Sequence, residues 1–369
     1  MPQRTDDRSP VDILLPNCAD TAHWSRLGWI EHMLYFVIGL PGRFTEWCDA
    51  ASAEIARRAL GPTELVRADT LEEISLWMMR TGASRGVVAS RQPGGRLRSA
   101  LVEAGRTFLV VVEDPRTALA EAVRGVSNDV AAAVQLVASS CAGITRYVSS
   151  PGALALFRDR DGSNPLTAVR SIAHHLTLDV SDADIVEIVD DLAAAGLTFE
   201  PSDGAARWEE LGAEERRVVG GAVGPFVSYL TTGNLPPINW ERELFFLGDR
   251  PTERAAGIID VTGRARCLLD GPHIMLPPGS WSLSLKLLFS RETTEHDFLL
   301  EVVADGQVAS RIIRPQAEGA FEVNLAFALE ATTDHPIAIR LSTQRAAFDG
   351  TVAVVGASLT TDGAALAEP

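Results

Sequence analysis

The sequence predicts an α/β domain with a three-layer parallel sheet, followed by an all-β sandwich of the jelly-roll kind. In the N-terminal half, short apolar runs alternate with helical patterns, as they do in βαβ units around a parallel sheet. Beyond residue 256, apolar and polar residues alternate with the period of two that half-buried strands require. We therefore predict an arm at 1–30, the α/β domain at 31–235, a connector at 236–255, the sandwich at 256–361 and a disordered tail at 362–369.

Each element of the α/β domain has its own signal in the sequence. MLYFVIGL (33–40) is apolar almost throughout, which is typical of a parallel strand buried on both faces. The segment 45–62 has apolar residues at helical spacing and stops at Gly61-Pro62. Similar arguments predict further strands at 63–69, 86–90, 106–115 and 154–157, and further helices at 71–82, 94–105, 115–146, 166–176 and 181–196.

The sandwich is predicted from alternation and from turns. In WSLSLKLLF (281–289), apolar residues alternate with polar or small ones from Trp281 to Phe289. FEVNLAF (321–327) and IAIRL (337–341) alternate in the same way, and turn-forming sequences such as PPGS, ADGQ and FDG separate the runs. About eight short strands with such turns predict two packed antiparallel sheets.

Composition and charge narrow the function classes. The formal net charge is −16 and the pI about 4.9, which argues against nucleic acid and anionic membranes as partners. The four cysteines are scattered without metal-ligand spacing, so we expect neither a metal site nor a disulfide framework. The N-terminus is polar, unlike a signal peptide, and no apolar run approaches the roughly 20 residues of a membrane span. These features predict a cytoplasmic protein with no membrane span.

One short stretch, GLPGRFTEW (39–47), has the outline of a phosphate-binding loop. It joins the first predicted strand to the first predicted helix through a glycine-containing turn. In such a loop, the backbone amides and the helix N-terminus point at the same anion. The stretch therefore predicts an anion site at the carboxyl end of the first strand, where α/β sheets bind their ligands.

Four segments in order resemble the PAPS-dependent sulfotransferase family, of the cytosolic and bacterial type. FVIGLPGRFTEW (36–47) is similar to the family loop G-x-P-R-S-G-T-T-W/L, and FLVVVEDPRTALAEAV (108–123) to a strand ending in V-R-D-P-R. The segments 153–176 and 178–192 resemble those that contain Y-E-D-L and L-S-D-E-D-L in the family. The resemblance covers about 34–200. It implies a P-loop-like fold and the donor 3′-phosphoadenosine-5′-phosphosulfate (PAPS).

The resemblance also implies which residues would hold PAPS if the site were live. They lie in the loop after the first strand and just after the fourth: Gly39, Pro41, Gly42, Arg43, Thr45 and Arg116. In the same correspondence, the loop cation of the family falls on Gly42, with an arginine one residue later. The close-approach glycine of the family falls on Phe44, where a side chain is expected to obstruct the phosphate.

Two acidic residues stand where the family has phosphate ligands. The second threonine of the loop is Glu46, and the arginine expected on the 3′-phosphate is Glu113. A carboxylate about 5 Å from a phosphate costs about 3 kcal/mol per unit charge at an effective dielectric of about 20. These replacements predict an α/β scaffold whose donor site is eroded, so no cofactor is expected.

Three functions are left open by the sequence. The leading hypothesis is a non-catalytic, sulfotransferase-like protein of polysaccharide or glycoconjugate biology that binds glycan or a protein partner. The enzyme alternative is an active sulfotransferase that uses PAPS to modify a glycan hydroxyl. There, Glu72 or Glu73 at the carboxyl end of the second strand would deprotonate the acceptor, although solvated first-turn glutamates are the simpler interpretation. The third hypothesis is a structural protein whose sandwich mediates assembly.

Other polar groups are expected to serve the fold. His174 and His175 are adjacent on a helix and so face different sides, which argues against a shared metal. His32 precedes the first strand, at the end of a parallel sheet that is opposite to its ligand sites. DRDG (159–162) resembles part of a calcium loop but lacks the later ligands, which indicates an ordinary turn.

The sandwich contains a second candidate site. The stretch 262–281 concentrates arginines, a histidine and a tryptophan around prolines: Arg264, Arg266, His273 and Trp281. An exposed aromatic ring with arginines suits the binding of a sugar, and fold analogy alone points to glycan as the ligand. The alternative is that Trp281 starts the alternating core face and the arginines lie on loops.

Overall fold

The computed structural model describes residues 33–125, 129–148, 150–197, 211–330, 333 and 335–361. The predicted N-terminal arm, His32 and the predicted tail lie outside the described residues. Within these ranges, a parallel sheet is followed along the chain by two antiparallel sheets.

Five parallel strands form the first sheet: β1 (Met33–Gly39), β2 (Glu64–Arg67), β3 (Arg85–Ser90), β4 (Phe108–Val112) and β5 (Ala153–Phe157). Their spatial order is β2-β3-β1-β4-β5. β1 lies at the centre, between β3 and β4. Its Val37 and Ile38 are both fully buried, which explains why the strand is apolar on both faces.

Helices connect these strands and continue after β5. In the described part of the chain they are α1 (Arg43–Leu60), α2 (Leu71–Thr81), α3 (Gly95–Arg98), α4 (Pro115–Gly125), α5 (Val130–Ile144), α6 (Arg158–Asp161), α7 (Pro165–His175), α8 (Asp182–Ala194), α9 (Ala213–Ala222) and α10 (Gly224–Thr232). A π-helical turn, Ser99–Glu103, extends α3. α8 begins with the capping box of Ser181 and Asp184. None of the helices in the described ranges is long and apolar enough to cross a membrane.

The helices cover both faces of the parallel sheet. α1, α7 and α8 pack on the face that contains Val37 and Val111. α2, α4 and α5 pack on the other face, which contains Phe36 and Ile38. This arrangement confirms the three-layer α/β class predicted from the sequence.

Two antiparallel sheets follow. The strands of the first are β7 (Phe246–Leu247), β8 (Arg250–Arg254), β10 (Cys267–Asp270), β11 (Pro272–Ile274), β13 (Phe298–Ala304), β14 (Gly306–Ile313) and β16 (Ile337–Thr343). Their order is β14-β13-β16-β10-β7-β8, and β11 also pairs with β16.

The strands of the second antiparallel sheet are β6 (Ile238–Glu241), β9 (Ile258–Asp260), β12 (Gly279–Phe289), β15 (Gly319–Leu329) and β17 (Thr351–Thr361). Their order is β15-β12-β17-β6, and β9 also pairs with β17.

Alternation along β12 explains the core of this second domain. Every second residue from Trp281 to Phe289 is buried, and the residues between them are more exposed. β12 pairs along its length with β15 and β17, so its buried side chains form the middle of the core face. The all-β class predicted for this part of the chain is confirmed.

The segment predicted as a connector contributes strands to both antiparallel sheets. β6 pairs with β17, and β7 pairs with β10 and β8. Trp240 in β6 is 1% exposed, so the aromatic character of this segment reflects burial in the sandwich. The predicted connector 236–255 thus pairs with strands of both sheets, while the limits of the domains remain a prediction from the sequence.

Helix α5 packs on the parallel sheet and also contacts the sandwich. Gln135 Nε2 donates to the Pro272 carbonyl oxygen at 2.5 Å, and the Met275 amide donates to Ser139 Oγ at 3.1 Å. Arg254 in β8 lies 3.2 Å from Asp129, which caps the N-terminus of α5. One continuous apolar core runs from one face of the parallel sheet into the sandwich.

Candidate functional site

The cradle formed by GLPGRFTEW lies at the carboxyl end of β1, as the sequence predicts. α1 begins at Arg43, directly after Gly42. A Cβ atom at Gly39 would collide with the Thr45 side chain, so glycine is required where the strand approaches the helix. The Glu46 amide donates to the Gly42 carbonyl oxygen at 3.0 Å and closes the first helical turn.

The carboxylate of Glu113 contacts the backbone of this cradle. Glu113 follows β4, and its Oε2 accepts a hydrogen bond from the Phe44 amide at 3.1 Å. A Cβ atom added to Gly42 would lie 3.0 Å from the same Oε2, so the carboxylate rests against the loop backbone. The protein therefore supplies its own acceptor to the first turn of α1.

Burial dominates the electrostatics of Glu113. The residue is 4% exposed, and this burial raises the pKa of its carboxyl group. The hydrogen bond from the Phe44 amide and the positive charge of Arg158 oppose the rise in pKa, and the charge of Asp114 adds to it. The net direction is upward, so burial makes the charged form of this carboxyl group less favourable than it is in water.

Phe44 does not fill the cradle, which corrects the expectation that its side chain obstructs the phosphate. Its ring is 3% exposed and packs with Trp47 and Val111 on the inner side of α1. The guanidinium carbon of Arg158 lies 5.4 Å from the centre of the ring. The side chain that stands in the cradle is that of Glu113.

The remaining cradle candidates are only partly brought together. The Arg43 side chain is 51% exposed, and its Nε lies 3.7 Å from Glu121 Oε1 on α4. The Arg116 amide donates to Asp114 Oδ1 at 3.1 Å, and the residue is exposed. The Thr45 hydroxyl is buried and has no hydrogen-bond partner among the described residues.

A cavity of about 300 Å³ opens beside the cradle, at the carboxyl ends of β1, β2 and β3. Its walls come from the loop after β1, from the ends of β2 and β3, and from α1, α4 and α5. The residues are Pro41, Gly42, Glu46, Arg67, Arg91, Glu121, Ala122 and Leu136. Arg67 lies 3.3 Å from Glu46, so one of the acidic replacements is paired at the surface. The walls carry two arginines and two glutamates, which gives no excess of positive charge for a phosphate.

A buried ion pair below the cavity was not identified from the sequence. Arg91 donates to the carboxylate of Asp49, whose side chain is 2% exposed. Burial raises the pKa of Asp49, and the charge and hydrogen bond of Arg91 oppose that rise. The sequence signal that could have revealed the ion pair is Asp49, an acidic residue on the inner face of the predicted helix 45–62.

Glu72 and Glu73 are held by local contacts. The Glu73 carboxylate accepts from the amides of Asp69 and Thr70, at 2.8 and 3.2 Å, and completes the capping box of α2. Glu72 is ion-paired with Arg96 at the surface. Neither glutamate lines the cavity beside the cradle.

The histidines and DRDG serve the fold. His175 Nε2 lies 3.1 Å from the carbonyl oxygens of both Phe108 and Gly152, so its N–H donates a hydrogen bond at the amino end of the sheet. DRDG lies in the short helix α6 and in Gly162, which follows it, and the Asp161 carboxylate accepts from the Phe157 amide at 2.8 Å. Within the described ranges, no group of three or more His, Cys, Asp and Glu residues could hold a metal ion.

Trp281 is a core residue, which corrects its assignment to a glycan site. Its side chain is 2% exposed, and its Nε1 donates to the Pro277 carbonyl oxygen at 3.0 Å. A buried indole whose polar atom is already bonded has no face to offer a sugar. The alternating pattern that begins at Trp281 was the correct signal.

The other three glycan candidates lie at different places. Arg266 donates to the carbonyl oxygens of Thr262 and Asp260 at 2.6 and 2.7 Å, so it braces its own loop. His273 Nε2 lies 3.5 Å from Asp270 Oδ2, and its side chain is 43% exposed. Arg264 is exposed on the loop before β10.

Sequence reasoning did not single out the most exposed aromatic residue in the described part of the sandwich. Phe348, in the loop between β16 and β17, is 97% exposed. It belongs to the FDG sequence, which was used only as a turn signal. A large apolar residue inside such a turn was the available clue.

Neither a family model nor a curated protein matches the sequence. Among solved structures, a mouse sulfotransferase complexed with PAP has 13% identity and a TM-score of 0.35, over 45% of this chain and 64% of that chain. A carbohydrate-binding module in complex with β-1,4-galactotriose has 11% identity and a TM-score of 0.23, over 36% of this chain and 94% of the module. A carbohydrate-binding domain of a multidomain xylanase from the hindgut metagenome of Trinervitermes trinervoides has 9% identity and a TM-score of 0.26, over 35% of this chain and 99% of that domain. The chain thus spans less than two thirds of the length of the sulfotransferase and nearly all of both carbohydrate-binding modules.

Proposed function

We propose that the α/β domain is a scaffold that binds no phosphosulfate donor. The chain would then act by binding glycan, or a protein partner, in polysaccharide or glycoconjugate biology. The observation that supports this most directly is the 3.1 Å hydrogen bond from the Phe44 amide to Glu113 Oε2. A carboxylate of the protein takes the place of the ligand anion at the helix N-terminus.

The charges around the cradle support the same proposal. A phosphate at the Phe44 amide would have to displace Glu113, or lie beside its buried carboxylate. At about 5 Å, the repulsion between two unit charges is about 3 kcal/mol at an effective dielectric of about 20. Arg43, the nearest cation of the loop, already lies 3.7 Å from Glu121.

Thermal denaturation with adenosine 3′,5′-bisphosphate tests the proposal. A ligand that binds the native state raises the melting temperature in proportion to the logarithm of its concentration. We expect no rise for the wild-type protein at about 1 mM ligand. We expect a rise for Glu113→Ala, because this change removes the carboxylate that accepts from the Phe44 amide and that would repel a phosphate.

Two controls keep this test specific. Glu72→Ala removes a glutamate whose side chain is 56% exposed and which lies outside the cradle, so it should behave as the wild type. Stabilisation of the wild-type protein that disappears in Arg43→Ala would contradict the scaffold proposal and support an enzyme.

A PAPS-dependent sulfotransferase acting on a glycan hydroxyl is the second candidate. Two observations favour it: the unpartnered Thr45 hydroxyl among the described residues, and the cavity of about 300 Å³ beside the loop. In that case Arg43, Thr45 and Arg116 would contact the phosphates. A structural role in assembly is the third candidate, and it would leave both nucleotide and glycan binding negative.

Glycan binding is assigned to the sandwich in this proposal. Arg264 and His273 are exposed and remain candidates for contacts with a sugar, whereas Trp281 and Arg266 serve the fold. The cytoplasmic location and the exact domain limits remain predictions from the sequence.

A further inference from the structure

Phe348 lies exposed at one tip of the sandwich, where hydrogen bonds link two loops. The tip consists of two neighbouring loops, 260–266 and 344–350. Between them, the Gly263 amide donates to the Ala347 carbonyl oxygen at 2.8 Å, and the Ala347 amide donates back to Gly263 at 2.9 Å. Phe348 follows this pair directly, with 97% of its side chain exposed. Its ring therefore stands on a backbone that hydrogen bonds hold in place.

Further contacts fix the two loops. The Val261 amide donates to the Gly350 carbonyl oxygen at 3.0 Å, and the Gly350 amide donates to Asp349 Oδ1 at 2.7 Å. Gly350 has φ of 121° and lies against Thr293, where a Cβ atom would not fit. Arg266 holds the first loop through its two hydrogen bonds to carbonyl oxygens. A site built on such a fixed backbone loses little conformational entropy when a ligand binds.

The tip carries charged groups of both signs. Three arginines and two aspartates lie on the two loops: Arg264, Arg266, Arg345, Asp260 and Asp349. Two further aspartates lie against the loops, since Asp249 is 3.3 Å from Arg266 and the Asp297 carbonyl oxygen accepts from the Gln344 amide at 3.1 Å. The tip therefore has no large excess of positive charge, in a chain whose formal net charge is −16. This does not favour an anionic partner such as nucleic acid or an acidic bilayer.

We propose that this tip binds a neutral polysaccharide. The Phe348 ring contacts the apolar C–H face of one sugar ring, while Arg264, Arg345 and Asp349 hydrogen-bond its hydroxyl groups. A sugar ring presents both an apolar face and a rim of donors and acceptors. An exposed aromatic ring on loops that also carry arginine donors and carboxylate acceptors matches that chemistry. This inference rests on the proposed glycan-binding function and names the ligand class and the residues.

Affinity electrophoresis tests the inference. The full chain is run in native gels that contain β-1,4-galactan, xylan, mixed-linkage β-glucan or, as an acidic comparison, polygalacturonate. We expect at least one neutral polysaccharide to retard the wild-type protein. Phe348→Ala should weaken that binding by about tenfold or more, and Phe348→Trp should retain it because an aromatic face is preserved. Ile258→Ala is the control, since Ile258 is also an exposed apolar residue of the sandwich, at 76%, but lies outside the tip.

Each outcome supports or overturns the assignment. Retardation that is equal in wild type and Phe348→Ala would overturn this site and leave glycan binding elsewhere on the sandwich intact. No retardation by any of the polysaccharides would overturn both the site and the glycan-binding function. Cosedimentation with vesicles of phosphatidylcholine and phosphatidylserine that depends on Phe348, without polysaccharide binding, would assign the tip to membranes and overturn the inference. Unchanged thermal melting of Phe348→Ala would show that a loss of binding is not a loss of folding.

Discussion

The cradle of the α/β domain and the tip of the sandwich differ in whether their candidate ligand position is open to solvent. At the cradle, the Phe44 amide is already bonded to Glu113, which is 4% exposed. At the tip, Phe348 is 97% exposed on a backbone that is equally well fixed by hydrogen bonds. The comparison teaches that the outline of a site and its availability are separate properties. The first follows from the order of strands and loops, and the second from the side chains that fill the space.

Two aromatic residues of the sandwich differ in the same way. Trp281 is 2% exposed with its indole nitrogen bonded, whereas Phe348 contacts mainly solvent. Residue type alone does not separate them, since either ring could contact a sugar. Their positions do, because Trp281 lies in the alternating pattern of β12 and Phe348 lies in a turn.

The largest effect is expected from truncating Trp281. Trp281→Ala removes a fully packed ring from the core of the sandwich and should lower the free energy of unfolding by about 3–5 kcal/mol. Phe348→Ala should change it by less than about 0.5 kcal/mol, because the ring is exposed. Urea denaturation of both variants measures the difference. Similar losses in free energy of unfolding for the two variants would contradict the distinction between Trp281 as a core residue and Phe348 as an exposed one.

A somewhat smaller effect is expected from Arg91, below the cavity. Arg91→Ala leaves the buried Asp49 carboxylate without its cation and should cost about 3 kcal/mol in free energy of unfolding. Arg67→Ala is the matched control, because it breaks the exposed pair with Glu46 and should cost about 0–1 kcal/mol. Equal costs would mean that the inner face of α1 tolerates an unpaired charge, and the electrostatic account of the cradle would lose its basis.

The smallest effect concerns the pH dependence of stability at Glu113. Its pKa is raised in the folded protein, mainly by burial, so the folded state binds more protons than the unfolded state between the two pKa values. The free energy of unfolding therefore falls as the pH rises from the unfolded-state pKa, about 4.3, through the higher folded-state pKa. Glu113→Gln lacks this titration, and its amide oxygen can still accept from Phe44.

Denaturation at several pH values checks this prediction. The difference in free energy of unfolding, Glu113→Gln minus wild type, should increase as the pH rises through that window. A difference that is constant across the window would mean that the carboxylate is not destabilised in the cradle. A difference that decreases would mean that the ionised Glu113 carboxylate is stabilised in the folded protein, because its hydrogen bond and the charge of Arg158 lower its pKa by more than burial raises it.

The sequence was sufficient for the layers and for many of the elements, although it did not predict the helices within 213–232 or the strands within 238–254. The strand predicted at 33–40 is observed at Met33–Gly39, and the helix predicted at 45–62 at Arg43–Leu60. Both follow from local patterns of apolar residues, which reflect burial on one or both faces. The capping box at Ser181 is equally local, because its partners are three residues apart.

The contacts that decide the site are non-local, and the sequence did not predict them. Glu113 and Phe44 are 69 positions apart, and they meet because β4 lies beside β1 in the sheet. Sequence reasoning recognised that Glu113 stands where the sulfotransferase family has an arginine. It did not predict that the Glu113 carboxylate accepts a hydrogen bond from the loop. It also placed Phe44 in the cradle, whereas the helical turn directs the ring into the core. The exposure of Phe348 depends on how two loops pair, which no periodic pattern encodes.

The strands contributed by 238–254 have a practical consequence for anyone who divides this chain. A fragment that starts at residue 256 would lose β6, which covers β17 from Gly356 to Leu359, and would uncover that edge of the sheet. It would also lose β7 and β8 beside β10. Open strand edges invite other chains to pair with them, so such a fragment is expected to aggregate. Recombinant work on the sandwich should therefore begin upstream of Ile238.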